Sequence, residues 1–348
     1  RSAPRGRWMA ELRIEGIDKI ASVALPPRAH KAGQTLSERQ KRARVARRTL
    51  AARGAFEAVT WSFVSRAHAA LFGGGSDALV VDNPISSELD CMRPSTLPGL
   101  VLAAQRNKDR GAESVSLFEV GPLYLGDGEK DQRLSAGIIR AFKAGARHWS
   151  EAQAAFSLYD VRADVEAVLS GLGLDASKLQ IFDDAGAADG VFHPGRSGSF
   201  RLGAKNIIAR FGELHPRLLK AMDVAGPIMA AEIDLDALPA KRRKSTAKDV
   251  LTLSNLQAVE RDFAFVVKAD VRVQELLKAV RGADKAYISD VSVFDVYEGK
   301  GVEEGHKSLA LSVTLTPQDK TLTDADIEAV SAKVIAAAEK SVEAKLRF

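Results

Sequence analysis

The chain has 348 residues, enough for two or three domains with a core each, and its 46% apolar content is that of an ordinary soluble globular protein. No apolar run is long enough for a membrane span, and no apolar h-region follows the basic Arg1–Trp8, so no secretory signal is expected and the cytoplasm is the default location. Cys91 is the only cysteine and the six histidines are scattered, which excludes an internal disulfide and a cysteine-based zinc site, and no metal is expected.

The net charge of +5 is unevenly spread. Residues 1–48 carry 13 Lys/Arg against 4 Asp/Glu, residues 49–253 carry 24 against 25, and residues 254–348 carry 13 against 16. Any polyanion partner would find its electrostatic attraction mainly near the N-terminus.

Residues 1–34 show little pattern. A helix is expected over 35–53, capped by Thr35 or Ser37, with Glu38 in its first turn. Its arginines and lysines, among them Arg39 and Arg42, fit either a solvated face or contacts to a nucleic-acid backbone.

Residues 54–240 read as a large middle domain. Strands are expected at Phe56–Phe63, Leu79–Ile85, Ser114–Tyr124, Leu134–Phe142, Ser197–Leu202, Asn206–Phe211 and Pro227–Leu235. Helices are expected at Arg66–Leu71, Leu100–Asn107, Tyr159–Leu172 and Pro216–Met222, with Pro98 and Gly99 ahead of the second. Consecutive strands joined by hairpin-like turns indicate an antiparallel sheet flanked by helices, an α+β rather than a doubly wound domain. Gly73–Gly75 lacks the Lys-Ser/Thr of a phosphate-binding loop, no Gly-x-Ser-x-Gly elbow is present, and His193 and His215, each followed by proline, read as turn residues. Residues 241–253, with Lys241-Arg-Arg-Lys-Ser-Thr-Ala-Lys248, read as a charged linker.

Residues 254–348 carry the clearest pattern. Phe263, Phe265 and Val267 alternate in a first strand, Arg261–Val267. A helix is expected from an N-cap at Asp270, with Val273, Leu276, Leu277 and Val280 on one stripe. Ile288–Tyr297 and Ser308–Thr316 follow as strands, the second with Leu309, Leu311, Val313 and Leu315 inward. Thr323 and Asp326 open a second helix with stripe Ile327, Val330, Val334 and Ala338. Lys345–Phe348 closes the unit. The order βαββαβ places both helices on one face of a four-stranded sheet, the ferredoxin-like arrangement.

The other face is then open. With Phe294 and Val296 toward the helices, Asp295 and Tyr297 lie outward beside Ala264 and Ser308, a platform of small side chains with one ring and one carboxylate. An unpaired base suits it, stacking on the ring and bonding the acceptor and the hydroxyl. A single aromatic signals little, and the pattern alone fits a surface aromatic and an acid near a turn better than a site.

The blocks Arg261-Asp-Phe-Ala-Phe-Val-Val267, Phe294-Asp-Val-Tyr-Glu-Gly299, Lys307-Ser-Leu-Ala310 and Thr321-Leu-Thr-Asp324 resemble the C-terminal anticodon-binding domain of bacterial phenylalanyl-tRNA synthetase β subunits. Asn83-Pro-Ile-Ser-Ser-Glu88, Met92-Arg-Pro-Ser-Thr-Leu-Pro-Gly99, His193-Pro-Gly-Arg-Ser197 and Phe211-Gly-Glu-Leu-His-Pro216 resemble the preceding domain of the same family, which is similar in fold to a class II synthetase core. Glu11–Ile20 with Ala24-Leu-Pro-Pro27 resembles the end of the domain before that. The family's magnesium-binding acid cluster lies just upstream of this point, and Arg7-Trp-Met-Ala10 offers none of its acids.

The resemblance implies a fold of class II synthetase-like antiparallel sheet followed by a ferredoxin-like domain, divided as 1–53, 54–240, 241–253 and 254–348. It implies that Tyr297 stacks on an anticodon base, that Asp295 bonds the base edge, and that Ala264 and Ser308 complete the site. Arg39, Arg42 and Lys300 are candidate backbone contacts. An ATP-using site needs phosphate-handling arginines, and Phe118-Glu-Val-Gly121, where the first would lie, has none. The expectation is a non-catalytic chain that binds tRNA and joins a catalytic α subunit in an (αβ)2 assembly using ATP and magnesium, with no role for DNA or a membrane. A free-standing class II-like ligase and a purely structural, protein-binding subunit are the alternatives. The ferredoxin-like order is also that of an RNA-recognition motif, but the aromatic-rich consensus strand is missing at Lys307–Thr316.

Overall fold

Two stretches of capping chemistry and alternation decide most of the architecture. The computed structural model describes residues 16, 35–145, 148–150, 152–175, 179–183, 190–203, 205–239, 250, 254–318 and 320–347. The expectations for residues 1–34 and for the linker therefore fall, almost entirely, outside the described residues. The chain divides into two units, 1–242 and 243–348.

In the first unit, helix α1 (Glu38–Ala52) begins at Ser37. The Ser37 hydroxyl accepts from the Gln40 N–H, and the Ser37 N–H donates to the Gln40 side chain, which satisfies two groups the helix start would otherwise leave unpaired. Ala43, Ala46 and Leu50 form its buried stripe. The strands are β1 (Phe56–Glu57), β2 (Phe63–Val64), β3 (Cys91–Met92), β4 (Ser114–Tyr124), β5 (Gln132–Phe142), β6 (Gln180–Phe182), β7 (Phe192–Leu202), β8 (Asn206–Leu214) and β9 (Ile228–Asp234). Seven of them form one sheet in the order β1-β4-β5-β9-β8-β7-β6, antiparallel except for the β1–β4 pair. β2 and β3 pair separately.

The remaining helices of this unit are α2 (Arg66–Leu71), α3 (Leu97–Asp109), α4 (Leu158–Gly171) and α5 (Pro216–Ala221). One sheet face buries Phe118, Ile138, Phe211 and Ile233 with α1 and with Val161, Val165 and Leu169 of α4. The other buries Val115, Ile139, Leu214 and Ala230 with Leu97, Leu100 and Val101 of α3 and Leu218 of α5. Cover on both faces is why β5 is buried over most of its length instead of alternating.

Several boundaries differ from the sequence reading. Phe56–Phe63 is two short strands rather than one. Leu79–Ile85 is not a strand: a 3-10 turn, Asp77–Leu79, leads to a single bridge from Val80 to Cys91. The Asp82-Asn83-Pro84 run explains this, since it favours a turn and proline lacks the N–H that a ladder needs. α3 starts at Leu97, with Pro98 in the first turn, where a missing N–H costs nothing. β3 and β6 were not foreseen.

The second unit has β10 (Val259–Lys268), α6 (Val273–Ala283), β11 (Ile288–Tyr297), β12 (His306–Leu315), α7 (Asp324–Val342) and β13 (Lys345–Leu346), with sheet order β11-β12-β10-β13, all antiparallel. Leu309, Leu311, Val313 and Leu315 of β12 are buried against Leu276 and Val280 of α6 and Ile327, Val330 and Val334 of α7. Full burial of each such side chain contributes about 1.5–3 kcal/mol. The Thr323–Asp326 capping box forms. Asp270 is not the N-cap of α6; the Val271 N–H donates to the Lys268 carbonyl, closing a turn across Asp270, and the helix follows Arg272.

Candidate nucleic-acid interface

β12 fixes the open face. Its inward leucines and valine leave Ser308, Ala310, Ser312 and Thr314 on the other side. On β10, Ala264 stands opposite Ala310. On β11, Asp295 stands opposite Ala310 and Tyr297 opposite Ser308, so all three strands bring their expected residues to one face.

The register of β11 corrects one expectation. Val293 pairs with Leu311 and Asp295 with Ala310, which leaves Phe294 as the extra residue of a β-bulge. Phe294 does not pack under the helices; it is 60% exposed. The insertion re-phases the strand. Val291 and Val293 precede it on the helix side, and Asp295 and Tyr297 follow it on the open side.

The four expected residues line one depression of about 360 Å³, together with Ala310 and Arg347. The alanines keep it shallow at the centre. Tyr297 is held on two sides: its hydroxyl donates to the Lys300 carbonyl at 3.1 Å, and the Arg347 guanidinium lies over the ring, 5.5 Å from its centroid. Gly299 makes the turn after Tyr297 at φ +156°, and a Cβ there would lie 3.0 Å from the Tyr297 hydroxyl oxygen. Arg347 is anchored by its N–H, which donates to the Ala264 carbonyl at 2.7 Å.

Ser308 is only 5% exposed. Its hydroxyl and the Asp295 carboxylate have no hydrogen-bond or ion-pair partner among the described residues. Both groups line the depression, so they offer a hydroxyl and an acceptor to a polar ligand placed there. Arg347 was missed in the sequence, and Ala310, although outward in the alternation of its strand, was not named with the site. The signal for Arg347 was its alternation with Leu346, whose side chain packs into the core.

The backbone candidates are placed differently. Lys300 is exposed on the β11–β12 turn, and its recorded contact to the site is its main-chain carbonyl. Arg39 pairs with Asp236 at 3.0 Å, and Arg42 donates to the carbonyls of Leu235 and Pro239 at 2.8 and 3.0 Å. Both guanidiniums tie α1 to the end of β9.

In the first unit, the run Phe118–Gly121 carries a buried ion pair. Arg93, 2% exposed, donates to Glu119 at 2.7 Å, to the Thr60 hydroxyl at 3.0 Å and to the Pro122 carbonyl at 2.9 Å. A Cβ at Gly121 would lie 2.5 Å from the Arg93 guanidinium. Beside it, one oxygen of part-buried Glu232 accepts from Ser95 Oγ, the Thr96 N–H and Thr96 Oγ1 at 2.8–2.9 Å. Burial pushes its carboxyl above the usual range, against the pull of those donors. His193 and His215 each accept a main-chain N–H, from Gly195 and Arg217, through Nδ1, so both imidazoles hold turns. Among the described residues, no three His, Cys, Asp or Glu side chains come together as a metal site, and no helix is long and apolar enough to cross a membrane.

Comparison with known proteins agrees with this geometry. Residues 24–235 match the Phenylalanyl tRNA synthetase beta chain CLM domain, and residues 254–347 match the Ferredoxin-fold anticodon binding domain. The fold is thus that of an aminoacyl-tRNA synthetase chain with an anticodon-binding module. Within that class, the chain belongs to the phenylalanyl-tRNA synthetase β-chain family.

It is 51% identical over 341 residues to the phenylalanine–tRNA ligase β subunit of Rhodospirillum rubrum, 47% over 337 residues to that of Paramagnetospirillum magneticum, and 46% over 341 residues to that of Bradyrhizobium diazoefficiens. Each match covers 97% of this chain and 42% of the relative, so the chain spans well under half the length of these proteins. Among solved structures, a pyrrolysyl tRNA synthetase from Desulfitobacterium hafniense overlays 66% of this chain and 72% of its own at a TM-score of 0.45 and 12% identity.

Proposed function

We propose that this chain acts as the non-catalytic β part of a phenylalanine–tRNA ligase, and that the open sheet face of its second unit receives the tRNA anticodon. The observation that carries this is the meeting of the Tyr297 ring, the Asp295 carboxylate, Ser308 and Ala264 in one depression of the open sheet face. A splayed-out base stacks on the ring. Its N–H donors reach the carboxylate, and the serine hydroxyl completes the edge. Ala264 and Ala310 leave room for the base to lie flat. One stacked base contributes about 1–3 kcal/mol.

Catalysis belongs to a partner α subunit, which handles ATP and magnesium in an (αβ)2 assembly in the cytoplasm. The pairing of Arg93 with Glu119 supports the non-catalytic assignment, since this buried arginine is already neutralised. Exposed Phe56 and Trp61, in and just after edge strand β1, supply apolar surface for assembly. Arg39 and Arg42 are left out of the RNA contacts because their guanidiniums serve the fold.

A filter-binding titration of the chain against an RNA hairpin with the phenylalanine anticodon tests the site. Asp295→Ala combined with Tyr297→Ala is expected to abolish measurable binding without changing the melting temperature. Unchanged binding by the double variant would remove the assignment.

A further inference from the structure

We infer that Arg347 is a phosphate contact of the same depression, so that the nucleotide on Tyr297 is held by charge as well as by stacking. The inference rests on the anticodon reading above and adds a residue and a chemistry to it.

Arg347 is placed deliberately by the fold. Its main chain is bonded to Ala264, in the middle of the site, and its guanidinium rests over the Tyr297 ring. Beyond that ring, its side chain has no partner among the described residues. Three other cations of this unit are occupied: Lys268 pairs with Glu343, Lys333 with Asp284, and Arg281 donates to the Val291 carbonyl. An arginine carries five donors in a fixed fork, and nothing here uses them.

The charge of the site points the same way. The lining residues are neutral apart from Asp295 and Arg347, and residues 254–348 carry more acids than bases. A nucleotide brings at least one phosphate toward this surface. Asp295 accepts N–H donors of the base and repels the phosphate, which leaves Arg347 as the pocket residue able to offset it. A guanidinium also fits two phosphate oxygens at once, where an ammonium offers a point charge. Drawn to the phosphate, it leaves the ring, and that face is free for the base.

The test is a salt titration of the full chain against the same RNA hairpin, with Arg347→Ala, Arg347→Lys and Tyr297→Ala. Arg347→Ala is expected to bind about tenfold more weakly at low salt, and its plot of log affinity against log salt to be shallower by about 0.7, the loss of one single-strand phosphate contact. Arg347→Lys is expected to recover the slope and part of the affinity. Tyr297→Ala is expected to weaken binding with the slope unchanged. An unchanged slope in Arg347→Ala, with or without weaker binding, would overturn the phosphate role while leaving the anticodon reading standing. Unchanged binding by both alanine variants would overturn both.

Discussion

Tyr297 and Ser308 stand directly opposite each other in the β11–β12 ladder, on the face of the sheet that the helices leave open. That relationship depends on Phe294 standing outside the ladder. Because side chains alternate with period two, a regular strand with Phe294 in the ladder would turn Asp295 and Tyr297 to the same face as Val293. Deletion of Phe294 removes that residue outright: Val293 then adjoins Asp295, Tyr297 stays opposite Ser308, and RNA binding is expected to persist. Phe294→Ala keeps the residue count and removes a mostly exposed ring, so it is expected to bind RNA normally and to change stability by less than about 1 kcal/mol. Binding titrations and thermal melts of the two variants check these outcomes.

The turn after Tyr297 sets the ring's position. Gly299→Ala puts a methyl against the hydroxyl in a backbone conformation that L residues rarely adopt. The Tyr297–Lys300 hydrogen bond is expected to break, with a cost of about 1–3 kcal/mol in strain. RNA binding is expected to fall severalfold, while the circular dichroism spectrum stays native. Native affinity would show that the clamp does not position the ring.

Acid should weaken the second unit through Asp284. Its carboxylate accepts from Lys333 at 2.7 Å and from the Ala286 N–H at 3.0 Å, and the Lys333 ammonium above all holds it below the usual carboxylate range. A carboxyl with a lowered folded pKa adds stability above its unfolded value, about 4, and loses it as pH falls through the folded value. Asp284→Asn is therefore expected to be less stable than the parent at pH 7 and to converge with it in strong acid. Urea unfolding at several pH values measures this; a constant difference would exclude the linkage.

The first unit has a separate point of weakness. Asp164, fully buried on α4, accepts from Arg140 Nε at 2.6 Å and Nη2 at 2.9 Å, and from Arg53 at the end of α1. It ties α1, α4 and β5 together. Asp164→Ala strands a buried guanidinium and is expected to cost about 3–5 kcal/mol. Chemical denaturation should show the loss, and RNA binding by the second unit should persist at a temperature where the first remains folded.

The second unit was the more legible one, for identifiable reasons. β12 alternates without interruption, and Thr323 with Asp326 makes a cap wholly within the sequence, so the facing of Ser308 and Ala310 could be read directly. The bulge could not. Phe294 is apolar and sits between Val293 and Asp295, where a regular strand reads just as well. Its displacement is set by pairing with β12, a tertiary matter. Arg347 sits beyond a two-residue strand too short to display a period. The charges of α1 read as a solvated face or as nucleic-acid backbone contacts, yet Arg42 reaches carbonyls 193 and 197 residues away. Cys91 pairs with Val64 and bridges Val80, contacts that no local propensity encodes.

The central claim is that the open face reads the anticodon. The most direct measurement compares the affinity of the chain for the phenylalanine-anticodon hairpin with its affinity for hairpins of the same stem in which each anticodon base is replaced in turn. The expected result is a loss of about 1–3 kcal/mol at one base, with that discrimination abolished by Tyr297→Ala and Asp295→Ala. Equal affinity for every hairpin, or discrimination that survives both substitutions, would contradict it.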